Sequence, residues 1–174
     1  GAYIFASNRN MIERSIDCLP LSGVKQLLEI GFGNGAHLPY LFAKAPHLHY
    51  TGIERSEAMI AEATALNTAL VEQGKAVFLH ALTEELPPLP YESFEVCFCV
   101  NTYYFITNLR AYFAQVYSLL RQGGSFVLGA IGKEFGERMP FTKEVFTFYT
   151  PDCLKELLLS VGFTAFDLQT FTEE

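Results

Sequence analysis

The chain has 174 residues, half of them hydrophobic, and a formal net charge of -7; that is enough apolar material for a sizeable core, most simply one domain over residues 1–174. The acidic balance, with no clustered Lys and Arg, argues against a broad nucleic-acid-binding surface, because phosphate backbones attract such clusters. The longest apolar stretch, Val96 to Ile106, is interrupted by Asn101 and is too short to span a membrane.

Four cysteines, Cys18, Cys97, Cys99 and Cys153, include no Cys-x-x-Cys pair and have no His nearby at metal-ligand spacing. Cys97 and Cys99 lie two apart on an apolar strand and so share a face, but a metal would need further ligands. They are expected to be buried, reduced small hydrophobes, with no metal bound. No signal-peptide pattern is visible, although Gly1 lacks a preceding Met. Reduced thiols and an acidic chain together point to a cytoplasmic protein.

Residues 1–23 read as a helix and lead-in. Met11, Ile12, Ile16 and Leu19 have helical spacing, Pro20 ends the helix, and Ser22-Gly23 turns into the first strand. Leu27, Leu28 and Ile30 then form an apolar run suited to a strand buried on both faces, followed at once by Gly31, Gly33 and Gly35 and a helix to about Ala45. Glycines allow positive φ and let a ligand lie nearly on the backbone. The helix that follows is expected to aim free amides at that ligand, with Pro39 harmless in its first turn.

Two cofactor classes use such a joint, and the glycines alone leave both open. Gly31-x-Gly33-x-x-Ala36 satisfies the relaxed dinucleotide pattern of NAD(P)-dependent oxidoreductases. Glu29-x-Gly31-x-Gly33-x-Gly35 resembles the first motif of class I S-adenosylmethionine-dependent methyltransferases.

His49 to Glu54 reads as the second strand and residues 57–72 as one Ala-rich helix, with Ser56 suited to its N-cap. Glu54 therefore stands at a strand end roughly twenty residues after the glycine turn, where a ribose sits in doubly wound sheets. The run Glu54-Arg55-Ser56-Glu57-Ala58-Met59 also resembles the methyltransferase segment, which implies that Met59 packs against adenine. Residues 76–79 give a third strand ending at His80, which reads as a strand-end residue rather than a catalytic base. The family usually places an acid just after that strand to accept from the adenine amino group. This chain has Ala81 and Leu82 there, so adenine is left to the backbone or Thr83.

Phe94 to Val100 is the most apolar strand, and Asn101, Tyr103 and Tyr104 leave its carboxyl end, which faces the ligand crevice in open α/β sheets. Asn101 is a candidate to hydrogen-bond the cofactor. Tyr103 and Tyr104 are candidates to wall the methyl-transfer site, since an aromatic face attracts a sulfonium. Thr102 and Tyr103 stand where methyltransferases of DNA amino groups or protein glutamine carry two prolines, which turns the reading away from those substrates. A helix from Leu109 to Leu120, closed by Gly123 as a left-handed cap, and a fifth strand from Ser125 to Ile131 again resemble the family. Residues 132–150, rich in Phe, form an expected lid or substrate wall. Pro151 to Ser160 reads as a helix and Thr164 to Phe171 as a last strand.

Taken in order, these segments are similar to the class I methyltransferase family over about residues 24 to 170. The resemblance implies a doubly wound, mostly parallel sheet with helices on both faces, a Rossmann-like methyltransferase fold with its final antiparallel strand missing. It implies S-adenosyl-L-methionine as cofactor, held by Glu29, Gly31, Gly33, Gly35, Glu54, Arg55, Met59, Ala81, Leu82 and Asn101, and methyl transfer to a small-molecule substrate. No nucleic-acid or membrane partner is expected, and a homodimer stays open. An oxidoreductase remains the first alternative and would need a hydride-transfer pair such as Tyr-x-x-x-Lys, which the chain is expected to lack. A non-catalytic nucleoside-binding domain is the second. An aminopropyltransferase shares the fold but usually has a first turn richer in Gly and Asp.

Overall fold

The computed structural model describes residues 2–82, 84–139 and 146–171, with side chains from Asn8 onward. Thr83 and residues 140–145 of the expected lid lie outside the described residues. Helix α1 (Ala2–Asp17) precedes strand β1 (Gln26–Ile30), helix α2 (Leu38–Lys44), β2 (His49–Glu54), α3 (Glu57–Leu66), α4 (Thr68–Glu72), β3 (Ala76–His80) and β4 (Phe94–Val100). A 3-10 turn at Tyr103–Phe105 leads into α5 (Leu109–Leu119), β5 (Leu120–Gly129), α6 (Lys133–Gly136) and α7 (Pro151–Val161).

The sheet has five strands, all parallel, in the order β3-β2-β1-β4-β5. Alternation along the apolar strands divides the core between its two faces. Leu27, Val96 and Phe98 join Ile16 of α1, Leu38 and Leu41 of α2 and Ala63 of α3. Leu28, Ile30, Cys97 and Cys99 turn the other way, toward Tyr112, Phe113 and Val116 of α5, with Leu154, Leu157 and Leu158 of α7 packed around them. Fully burying an aliphatic or aromatic side chain stabilises a fold by about 1.5–3 kcal/mol, so the two clusters oblige helices to cover both faces. The doubly wound architecture follows from that. Among the described residues, no helix is long and apolar enough to cross a membrane.

Three boundaries depart from the pattern in the sequence. The Ala-rich stretch is two helices, because Asn67 leaves helical geometry (φ -119°, ψ 30°) and spends its side-chain amide on Gly35 O and Ala63 O, both at 3.0 Å. Gly123 is left-handed (φ +77°) but does not cap α5. That helix stops at Leu119, and Leu120 already pairs with Phe94; Ser125 then pairs with Val96, so Gly123 lies in an irregularity within β5. Residues 164–171 form no strand. They lie near α1 and α7 through side chains, with Cys18 Sγ 3.4 Å from Gln169 Oε1, Arg14 over the Phe171 ring at 4.9 Å and Lys155 over Phe166 at 5.7 Å. Alternating residues suit a strand, but a strand also needs a ladder partner in register, and this segment makes none.

Gly52, in the middle of β2, is a position where the sheet must be bare. A Cβ there would stand 2.5 Å from Phe32 Cδ1 and 2.8 Å from Tyr50 Cε1. Phe32, from the glycine turn, lies across this gap and packs against Phe78 of β3 with ring centroids 4.9 Å apart. Gly52→Ala should destabilise the domain by about 1–3 kcal/mol, the usual cost of overpacking. Urea unfolding would show this as a lower midpoint at unchanged m-value.

Candidate cofactor site

The strand order reverses between β1 and β4, and in open α/β sheets the crevice beyond the carboxyl ends at such a point receives the ligand. The glycine turn sits there. Gly31, Gly33 and Gly35 all have positive φ, at +78°, +62° and +65°. Gly31 N donates to Ile53 O at 2.7 Å, which ties the turn to β2. A Cβ on Gly31 would come within 2.9 Å of Thr102 Oγ1, and one on Gly35 within 3.1 Å of both Ala63 Cβ and Asn67 Nδ2. Above Gly33 nothing lies within 4 Å of where a Cβ would be. The outer glycines are thus packed against protein, and the middle one faces open space where a ligand can approach the chain.

Glu54 is buried at the end of β2 and reaches that middle glycine. Its Oε2 accepts from Gly33 N at 3.0 Å, and Oε1 accepts from Arg55 N at 2.9 Å and Ser56 N at 3.0 Å. Ser56 caps α3 as expected, its Oγ accepting from Met59 N at 3.3 Å. Met59 is half-buried, the Arg55 side chain is exposed, and Arg55 O lies 2.9 Å from His80 Nε2. Ala81 N donates to Glu54 O at 3.2 Å, while Leu82 is 61 % exposed. The ends of β2 and β3 therefore bring Glu54, Arg55, His80 and Ala81 together beside the glycine turn.

Two of the amides expected at the start of α2 are engaged within the turn. Leu38 N donates to Gly35 O at 3.1 Å and Ala36 N to Asn34 Oδ1 at 3.2 Å. The helix begins only at Leu38, and Pro39 in its first turn has no N–H to offer.

Glu29, at the end of β1, is buried. Its Oε2 lies 2.8 Å from His37 Nε2 and accepts from Tyr50 Oη at 2.5 Å, and His37 and Tyr50 are themselves buried. Burial and the Glu29 carboxylate hold the Tyr50 phenol well above its ordinary pKa, so it stays a hydrogen-bond donor. Neither His37 nor Tyr50 is marked by any local motif; His37 follows the last glycine by two residues, and Tyr50 arrives from the neighbouring strand. Thr102 and Asn67, which pack against the outer glycines, are equally unmarked.

Asn101 has a left-handed backbone (φ +55°), a conformation that Asn tolerates better than most residues. Its side chain is engaged on both sides: Nδ2 donates to Asn8 Oδ1 at 3.1 Å, and Oδ1 accepts from Tyr104 Oη at 2.8 Å. Tyr104 Oη in turn accepts from Ile131 N at 2.5 Å. Tyr103 and Tyr104 are buried, with ring centroids 4.4 Å apart, and Tyr104 also stacks on Phe146 at 5.4 Å. Burial raises both phenols. The aromatic ring left open beside them is Phe105, which is 40 % exposed.

Tyr103 and Tyr149 also help line a groove of about 540 Å³ beside β5, lined as well by residues of α1, α7 and the segment 163–171. This groove is separate from the glycine turn, none of whose residues line it.

Contrary to the expectation that the chain lacks such a pair, Tyr40 and Lys44 stand at Tyr-x-x-x-Lys spacing. Both lie on α2 and bond the carboxylate of Asp17, at 2.8 Å and 2.7 Å. Their geometry is that of a helix-to-helix ion pair, without a place in the crevice.

A glycine turn at the β1/β4 switch, with a carboxylate at the end of the adjacent strand, on a β3-β2-β1-β4-β5 sheet, defines the class I methyltransferase fold. The chain belongs to the methyltransferase domain family, whose model matches residues 28–128. It is 28% identical over 124 residues to the uncharacterized methyltransferase YdaC of Bacillus subtilis (strain 168), a stretch covering 71% of this chain and 66% of that protein. Among solved structures it resembles the complex between the Haloferax volcanii Trm112 methyltransferase activator and a methyltransferase, with TM-score 0.81 and 15% identity over 92% of this chain and 71% of that one. An S-adenosylmethionine-dependent methyltransferase from Mesorhizobium loti matches with TM-score 0.77 and 17% identity, over 91% of this chain and 83% of that one. At these identities the two structures speak for the fold.

Cys97 and Cys99 of β4 are buried in the core, Cys18 is half-buried and Cys153 is exposed. Burial raises the Cys97 thiol well above its ordinary pKa and pushes Cys99 up to about 12; it also raises Cys18. The thiolate is the reactive form, so a thiol reagent at about pH 8 should label Cys153 first and Cys18 more slowly. Cys97 and Cys99 should react only after denaturation. Raising the pH should speed Cys18 while Cys97 and Cys99 stay closed, as followed by mass spectrometry of the labelled peptides.

Proposed function

We propose that this domain binds S-adenosylmethionine over the glycine turn and catalyses transfer of its methyl group to a small-molecule acceptor. The observation that carries the reading is the Glu54 carboxylate, held beside the bare face of Gly33 by three backbone amides. A carboxylate offers roughly four lone-pair sites, and three are occupied. Glu54 can therefore accept from one ribose hydroxyl as it stands, and from a second by releasing Gly33 N. Held this way, it keeps one rotamer before the ligand arrives, which lowers the ordering cost of binding.

The remaining residues take roles consistent with their places. Gly31, Gly33 and Gly35 lie under the amino-acid end, and Glu29 faces its ammonium directly or through water. Met59, Ala81 and Leu82 border adenine, and Arg55 flanks the ribose. Asn101 is on the sulfonium side, and Tyr103 and Tyr104 stiffen the wall beside the acceptor. When bound, the cofactor supplies a methyl carbon already activated by its sulfonium. The protein's share is then alignment and exclusion of water, which in well-oriented systems is worth roughly 7–11 kcal/mol. The acidic surface and the Thr102-Tyr103 sequence in place of paired prolines favour a small acceptor over a nucleic acid or a protein amide. A cytoplasmic location is part of the same reading.

Glu54→Gln should weaken S-adenosylhomocysteine binding about 10- to 100-fold, since a hydrogen bond to a charged group contributes about 1.5–3 kcal/mol. Calorimetric titration would measure it. Unchanged affinity in the variant, or tighter binding of NADH than of S-adenosylhomocysteine by the wild-type chain, would reject the proposal.

A further inference from the structure

Glu29, His37 and Tyr50 form a buried cluster of hydrogen-bonded polar side chains. Both partners approach the same oxygen, Oε2, from the residue that precedes α2 and from the adjacent strand β2. A carboxylate only accepts, so Tyr50 donates its hydroxyl and His37 presents Nε2–H. Oε1 has no hydrogen-bond partner among the described residues. It is not sealed either, because the one buried side-chain polar atom without a partner among those residues is Tyr112 Oη. A residue as enclosed as Glu29 thus keeps one acceptor oxygen in contact with accessible space, two residues before Gly31, where the turn begins.

Fixing Oε2 with two donors fixes the plane of the carboxylate and leaves Oε1 as its free acceptor. Bonds to a charged group in a water-poor setting are stronger than their counterparts in water, and losing either donor would free the side chain to rotate. On the reading that the glycine turn holds the amino-acid end of the cofactor, we propose that His37 and Tyr50 are positioning residues that aim Glu29 Oε1 at the α-ammonium of that amino acid. The site would thereby select nucleosides carrying a free amino acid over the same thionucleoside without one. The cofactor's ammonium has three donors, and Oε1 supplies a directed acceptor for one of them.

The test compares S-adenosylhomocysteine, which carries the ammonium, with methylthioadenosine, which lacks the amino acid, by calorimetry on the full chain. Tyr50→Phe and His37→Leu should each weaken S-adenosylhomocysteine about tenfold, while methylthioadenosine changes by less than about twofold. His37→Gln, which restores a donor, should recover part of the loss. Equal weakening of both ligands, or no change for either, overturns the inference, because a purely structural cluster would not distinguish them. Should His37→Leu fail to fold, Tyr50→Phe, which removes a single hydroxyl, decides the matter alone. If the wild-type chain binds neither nucleoside, the cofactor reading itself falls and the inference with it. Retention of both, with the variants unaffected, removes only the inference.

Discussion

Three residues with positive φ at the end of β1 constrain everything around them. The turn they make brings the chain against Thr102 on one side and against Ala63 and Asn67 on the other, so close that a Cβ on Gly31 or Gly35 would crowd its neighbours. Strand β4 and helix α3 can approach the turn this closely only because those side chains are missing. The open face over Gly33 is what remains once both flanks are filled. A left-handed backbone is nearly free for glycine and costs other residues roughly 1 kcal/mol or more. The turn therefore keeps its shape through residue choice, and its neighbours keep it from shifting.

Around this turn the polar groups are tied in chains. Glu54 joins the end of β2 to the middle of the turn, Asn67 joins α3 to its last glycine, and Glu29 gathers α2 and β2 beneath it. On the far side of the crevice, Asn8, Asn101, Tyr104 and Ile131 link α1, the exit of β4 and the segment after β5. Buried polar groups are costly unless paired, so each link holds two elements in one relative position. The crevice is in this sense assembled from both sides of the sheet switch before any ligand enters. The two tyrosines behind it contribute rigidity through packing, and Phe105 contributes exposed aromatic surface.

Much of this was legible in the residues. The β1 run and its glycines, Glu54 at the end of the next strand, Ser56 as a cap and the alternating β4 strand all depend on neighbours within a few positions, where periodicity and turn chemistry act. The broken helix at Asn67, the misplaced role of Gly123 and the unformed strand at 164–171 were not legible. Asn67 leaves the helix because Gly35, thirty-two residues away in sequence, offers a carbonyl to its amide. Gly123 belongs to a strand irregularity because Phe94 pairs with Leu120 and Val96 with Ser125. Residues 164–171 alternate like a strand, yet alternation specifies faces and does not supply a partner.

The sequence by itself determined where the backbone must bend without side chains, which strands are buried on both faces and which carboxylate stands one strand from the bend, because those properties reside in local composition and period. Only the tertiary structure decided that Glu29 is clasped by His37 and Tyr50, that Asn101 is held by Asn8 and Tyr104, and that Tyr103 and Tyr104 are packed inward. Each of those is a meeting of side chains from separate elements. Such meetings are set by how the helices lie on the sheet, and no spacing along the chain encodes them.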